Sequence, residues 1–322
     1  MLFHWLFIGG GLAYCMLHYP DEPAMIPLIF HPIYSQLALP AGHRFPIGKY
    51  QGLHDRLRQE GIGAAHFVRP VALTADRIGD VLCPAYLDSF VTGTLDAAAM
   101  RRIGFPWSAQ LVTRTFTAVA GTILAGVLAL DKGRALNLTG GYHHAFHDRG
   151  SGFCIVNDLY LCAVNLLARP GIRRVLVFDC DVHQGDGTAS LAQRRDDIFT
   201  VSIHGEKNFP FHKLNSDVDV ALPAGVRDDE YLACVDRTLA QAIDRFRPDV
   251  VIYDAGADIH CDDELGHFDI SDAGVLARDR LVFGHCDRAG LPVAAVIGGG
   301  YQRDVTALVN VHFQLFRAAL GL

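Results

Sequence analysis

The chain has 322 residues, 50% hydrophobic and 20% charged, with 28 Lys+Arg against 35 Asp+Glu for a formal net charge of −7. That apolar share supports a large core and excludes intrinsic disorder, and the length suits a single α/β domain. A mildly acidic chain without a long basic run is a poor partner for a phosphate backbone, so nucleic-acid recognition is set aside.

Residues 1–17 read MLFHWLFIGGGLAYCML, apolar but interrupted by His4 and Gly9-Gly10-Gly11. The run is shorter than the roughly 20 apolar residues a spanning helix needs, and it lacks the positive start of a secretory signal. Residues 1–24 are therefore read as an N-terminal extension, with Met25 as an alternative start and a membrane anchor or a packed helix as the competing readings. No other segment is read as a transmembrane pattern. Residues 25–322 are read as one domain, since no repeat and no Pro/Ser linker divides them.

From Ile26 onward short apolar runs alternate with longer helical patterns. Strands are expected at 26–30, 65–68, 135–138, 174–178, 199–203, 218–222, 250–253 and 293–297. Several are rich in Val and Ile and apolar on both faces, as a strand inside a parallel sheet should be. Helices are expected at 110–130, at 158–168 behind the cap Asn157, at 230–246, and from the cap Ser271 to about 288. This alternation predicts a mainly parallel sheet of about eight strands with helices on both faces, a three-layer α/β/α domain. The eight cysteines form no CxxC pair, and they read as free, mostly buried thiols of a reducing cytosol.

In parallel α/β sheets ligands bind beyond the carboxyl ends of the strands. The segments in those places are unusually polar: TGGYHHAFHD, DCDVHQGDG, DAGADIHCDDE and GGGYQRD. In DCDVHQGDG, Asp181 and His183 are two apart, which on extended chain points both to one side. A carboxylate and an imidazole make a partial zinc shell, and Asp258 is the best third ligand. Two Asp and one His leave positions open for water and substrate, the catalytic arrangement. Asp residues after strands are also common caps and turn formers, and Asp254 competes in the same loop. Adjacent His143 and His144 cannot face the same way on extended backbone, so they are expected to play different parts, one accepting a proton from water and one charged near a developing oxyanion. Asp179 and Asp186 are available to orient them, although Asp186 could instead serve the start of a helix near Thr188. Three glycines let the backbone before Tyr301 approach a ligand closely.

The ordered set GGYHHA, GSGFC, ND, DCDVHQGDG, VSIHGEKNFPF, DAGAD and GGGY resembles the zinc-dependent histone deacetylase family, of arginase–deacetylase fold. The resemblance runs from about His31 to the C-terminus, and its short chain is similar to compact bacterial and class IV members. It implies a deacetylase-like catalytic domain that removes acyl groups from acylated lysine side chains or similar amines. It assigns zinc, or iron(II), to Asp181, His183 and Asp258. His144 with Asp186 becomes the general base and then acid, His143 with Asp179 its electrostatic partner, and Tyr301 the polariser of the acyl carbonyl. Gly152 and Phe153 fall on the substrate tunnel, with Phe209 or Phe211 as the opposite wall. A structural potassium ion would use Asp179, Ser202 and main-chain oxygens of Asp181, His183 and Ile203.

Two features depart from the family pattern. Leu82 stands where the family usually has His, and the rim aspartate that grips a peptide backbone has no clear counterpart, though Asp88 and Asp96 lie nearby. Small acylated amines such as acetylpolyamines are therefore an alternative substrate class. Arginase-type chemistry with two manganese ions is a second rival, weakened because Gly185 replaces the carboxylate of DxHxD. A non-catalytic acyl-amine binder is the third, and it would require a broken catalytic set.

Overall fold

The computed structural model describes residues 6–8, 11–13, 25–78 and 81–322. Strands β1 (Leu6–Ile8) and β2 (Gly11–Ala13) pair antiparallel with each other and stay outside the main sheet. The remainder of the proposed extension lies outside the described residues.

The main sheet contains β3 (Leu28–Ile29), β4 (Phe67–Val68), β5 (Arg134–Asn137), β6 (Val175–Asp179), β7 (Ile198–Gly205), β8 (Val218–Leu222), β9 (Val250–Asp254) and β10 (Val293–Val296). Their spatial order is β4-β3-β5-β10-β9-β6-β7-β8, and every pairing is parallel. Strands β6, β7, β9 and β10 are buried along their whole length, as their Val- and Ile-rich sequences require of strands covered on both faces. The expected strand at 65–68 is shortened: residues 64–66 form a 3-10 turn and only Phe67 and Val68 pair, at the edge of the sheet where there is a single partner.

The helices are α1 (Lys49–Gln59), α2 (Pro84–Thr92), α3 (Ala97–Ile103), α4 (Ala109–Lys132), α5 (Asp158–Leu167), α6 (Asp186–Ala192), α7 (Asp228–Phe246), α8 (Asp272–Ala289) and α9 (Val305–Leu320). The caps read from sequence form: Asn157 accepts from the Tyr160 amide and Ser271 from the Gly274 amide. Asp96 also caps a helix, accepting from Ala99 N at 2.7 Å, which gives this rim candidate a local structural task. Helix α4 covers the helix expected at 110–130. By length and composition it could cross a membrane, with a mean hydropathy of 1.6 over its most apolar window, yet 83% of that window is buried inside the protein. It is the long core helix against the sheet.

The strand order positions the site. Strands β5, β10, β9 and β6 are consecutive neighbours, so the four polar segments that follow them converge at one end of the sheet. One register row runs Asn137, Val296, Asp254, Asp179 and Ser202 across five strands.

Candidate active site

Beyond β6 the chain turns with Asp181 and His183, and beyond β9 it presents Asp258. Their side chains meet: His183 Nδ1 lies 3.0 Å from Asp181 Oδ1 and 3.1 Å from Asp258 Oδ2. All three are buried, and their donor atoms lie within 4.8 Å of one another. Burial alone would favour neutral His183, but hydrogen bonds to Asp181 and Asp258 push its pKa up to about 10. The two carboxylates therefore demand positive charge between them, and two oxygens with one imidazole nitrogen fit a divalent cation such as Zn²⁺. The backbone of the glycine run comes close to both carboxylates. A Cβ on Gly299 would stand 2.1 Å from Asp258 Oδ2 and 2.6 Å from Asp181 Oδ2. Instead the Gly299 amide donates to Asp181 Oδ2 at 2.7 Å.

The two histidines after β5 lie beside this cluster and are wired separately. His143 Nδ1 is 2.8 Å from Asp179 Oδ2, and His144 Nδ1 is 2.7 Å from Asp186 Oδ1. Their Nε2 atoms approach to 3.1 Å. Asp186 both opens α6 and pairs with His144, so the two roles considered for it coexist. Burial works against a charge on His143, but Asp179 and Asp181, with Asp254 behind them, outweigh it and hold the imidazolium. Burial and then the neighbouring His143 charge lower His144 to about 4, against the pull of Asp186. The two surroundings thus push the adjacent histidines in opposite directions, although their Nε2 atoms face each other. Asp254 is fully buried with both carboxylate oxygens lacking a hydrogen-bond partner, 3.9 Å from His143 Nδ1. Burial and the nearby Asp179 push its pKa up, against the pull of His143.

A pocket opens above these groups, lined by His143, His144, Gly152, Phe153, Asp181 and Tyr301 among others. Phe153 has φ +65°, a left-handed conformation that is strained for a phenylalanine. Its amide donates to the Ile103 carbonyl at 2.8 Å, and the Gly152 amide to the Arg102 carbonyl at 3.1 Å, so the end of α3 holds the turn in place. The two candidates for the opposite wall differ in their surroundings. Phe209 packs its ring 4.8 Å from that of His144, whereas Phe211 is 88% exposed. Tyr301 is half-buried, its ring 5.8 Å from Phe153 and 6.3 Å from His183. Burial, then Asp181 and Asp258, raise its phenol well above the usual range and keep the proton on oxygen. Asp179 and Ser202 face each other in register between β6 and β7, and Ile203 follows.

Sequence reasoning missed the residues that brace the site. Buried Lys49, on α1, donates to the carbonyls of Gly298 (3.4 Å) and Gly300 (3.3 Å). Buried Arg278, on α8, donates to the carbonyls of Gly256 (2.6 Å) and Ala255 (3.2 Å), under the loop that carries Asp258. Asp263 accepts from the Tyr301 amide at 2.6 Å. The only available signal for the first two was a charged residue on the apolar side of a helix. Asp263 offered only its place in an acidic DDE run.

The three-layer α/β/α fold places the site at the carboxyl end of its parallel sheet, and the acid-and-imidazole groups gathered there are of the kind that can hydrolyse amides. Comparison with known proteins agrees. The family model described as the histone deacetylase domain matches residues 43–315. An uncharacterized protein of Picosynechococcus sp. is 44% identical over 91% of this chain and 98% of its own length. Histone deacetylase 2 of Arabidopsis thaliana is 32% identical over 73% of this chain and 58% of that protein. A histone deacetylase-like amidohydrolase of Pseudomonas aeruginosa is 30% identical over 59% of this chain and 54% of that protein. The crystal structure of the HDA15 HD domain superposes with a TM-score of 0.78 at 19% identity, covering 92% of this chain and 91% of the other. The chain belongs to the histone deacetylase family.

Proposed function

We propose that this chain is a zinc-dependent deacylase that hydrolyses the amide of acylated lysine side chains or of comparable acylated amines. The observation that carries the reading is the buried Asp181–His183–Asp258 cluster beside a pair of histidines, each bonded to its own carboxylate. Those three residues would hold the ion. A bound Zn²⁺ supplies Lewis acidity toward the acyl carbonyl and lowers the pKa of water. His144 is the base: Asp186 holds Nδ1, which leaves Nε2 to take the proton from water and later return it to the leaving amine. His143, held charged by Asp179, offers electrostatic stabilisation to the developing oxyanion. The Tyr301 hydroxyl donates to the same oxyanion. Gly152, Phe153 and Phe209 enclose the acyl-bearing chain, and the exposed Phe211 packs beside Phe209. A monovalent cation, K⁺, is assigned to Asp179, Ser202 and the main-chain oxygens of Asp181, His183 and Ile203, on the support of the register that aligns the two side chains. The assigned compartment is the cytoplasm, in keeping with seven described cysteines that are all free.

The arginase-type reading loses support on packing. A Cβ at Gly185 would lie 2.5 Å from Asp179 Oδ2 and 3.3 Å from His143 Cβ, so a further carboxylate has no space there. The deciding experiment assays acetyl- to myristoyl-lysine peptides and acetylpolyamines with and without chelator. Loss of all hydrolysis on chelation, restored by Zn²⁺, is the expected outcome. Activity that ignores the chelator refutes the proposal, and the preferred amide in the panel sets the substrate class.

A further inference from the structure

We propose that Asp263 is a positioning residue for Tyr301, a carboxylate that ties the loop bearing the phenol to the loop bearing Asp258. The inference rests on the reading above, in which Tyr301 acts on the acyl oxygen. Asp263 lies five positions beyond Asp258 and is 8% exposed. Its Oδ1 accepts from the amides of Leu265 (2.8 Å) and Gly266 (3.0 Å), closing a local turn. Its Oδ2 accepts from the Tyr301 amide at 2.6 Å, across 38 residues of sequence.

That long-range bond matters because of what precedes Tyr301. Gly298 and Gly300 have φ of +60° and +149°, and a run of three glycines imposes little direction of its own on the next residue. The run is clamped from below, where Asp181 takes the Gly299 amide and Lys49 reaches the Gly298 and Gly300 carbonyls. At Tyr301 itself the anchor is Asp263. The neighbours repeat the pattern: Gln302 Nε2 lies 3.1 Å from His260 Nδ1, and Arg303 pairs with Glu264. The Leu265 carbonyl accepts from Asn208 Nδ2 at 2.7 Å, next to Phe209. The 260–266 loop therefore joins the proposed metal cluster, the phenol and the proposed tunnel wall, and within it Asp263 makes the bond at the phenol's own residue.

Asp263→Asn separates the two functions of the carboxylate. Its oxygen keeps accepting from Leu265 and Gly266, while its amide N–H confronts the Tyr301 N–H, donor against donor. Zinc-loaded wild type, Asp263→Asn, Tyr301→Phe and the double variant are assayed on a fluorogenic acetyl-lysine peptide. Metal content and amide hydrogen exchange over residues 298–303 are measured on each. Asp263→Asn is expected to lower kcat about tenfold or more with KM within about threefold, to speed exchange at 298–303, and to leave metal content unchanged. Added to Tyr301→Phe, it should change kcat by less than about twofold, because both act through one group. Asp263→Ser, which reaches the local turn but not Tyr301, serves the same test if the Asn variant does not fold. Wild-type kcat in the Asp263 variants, or multiplication of the two effects, overturns the inference alone. Wild-type turnover in Tyr301→Phe overturns the role of Tyr301, and the inference with it.

Discussion

His144 and His143 are adjacent and chemically identical, yet their surroundings shift their pKa values in opposite directions. The difference comes from neighbours: three carboxylates surround His143, while His144 faces one carboxylate and the positive charge of His143. His144→Ala should lower kcat by about 10²–10⁴ while zinc stoichiometry stays unchanged, measured by steady-state kinetics and metal analysis. A second histidine reports on stability. His204 is buried, and that burial lowers it from 6.5 to about 4 although Asp219 opposes the shift. Between those values the unfolded chain binds the proton and the folded one does not, so stability falls as pH drops through this window. The slope attributable to His204 is at most about 1.4 kcal/mol per pH unit. Urea unfolding from pH 7 to pH 4 should show a shallower pH dependence in His204→Asn than in wild type.

At the scale of elements, the helices behind the sheet do more than cover it. Arg278 of α8 is fully buried, pairs with Asp279 at 2.9 Å, and supports the Ala255 and Gly256 carbonyls just ahead of Asp258. Asp279 in turn accepts from the Tyr253 hydroxyl of β9 at 2.6 Å. Arg278→Met should cost about 3–5 kcal/mol, because it leaves the Asp279 charge buried without its partner. Zinc affinity should fall in parallel as the Asp258 loop loses its support. Arg278→Met combined with Asp279→Leu should recover much of the urea midpoint but not the zinc affinity. Element boundaries were legible where caps and punctuation were strong, as at Asn157 and Ser271. Helix α9 was overlooked although Asp304 caps it, accepting from the Thr306 and Ala307 amides. Its apolar residues follow directly on the polar segment GGGYQRD, with no Gly or Pro between loop and helix to mark the boundary.

Across the whole molecule the metal cluster joins loops after β6 and β9, neighbouring strands separated by about 70 residues of chain. An ion bound there links the two halves of the sheet and neutralises two carboxylates that otherwise repel each other in a buried site. Chelation should therefore lower the thermal midpoint. With free metal at about 1,000 times its Kd the linkage is worth about 4 kcal/mol, or several degrees for a domain of this size. A midpoint unchanged by chelator, with the metal shown to be absent, would contradict this.

The candidate site residues were legible in the sequence, because the proposed catalysis and metal binding need particular functional groups in short fixed spacings. Asp181 with His183, the paired His143 and His144, and the run of glycines ahead of Tyr301 are local patterns, and local patterns survive in one dimension. The alternation of apolar strands and helices likewise announces a parallel sheet, since strands covered on both faces carry little polar surface. The folded arrangement alone decided which strands are neighbours, that Phe209 rather than Phe211 faces His144, and that Lys49, Asp263 and Arg278 brace the loops. These outcomes depend on contacts between segments tens to hundreds of residues apart, where burial and hydrogen-bond satisfaction act in three dimensions and leave no spacing to read.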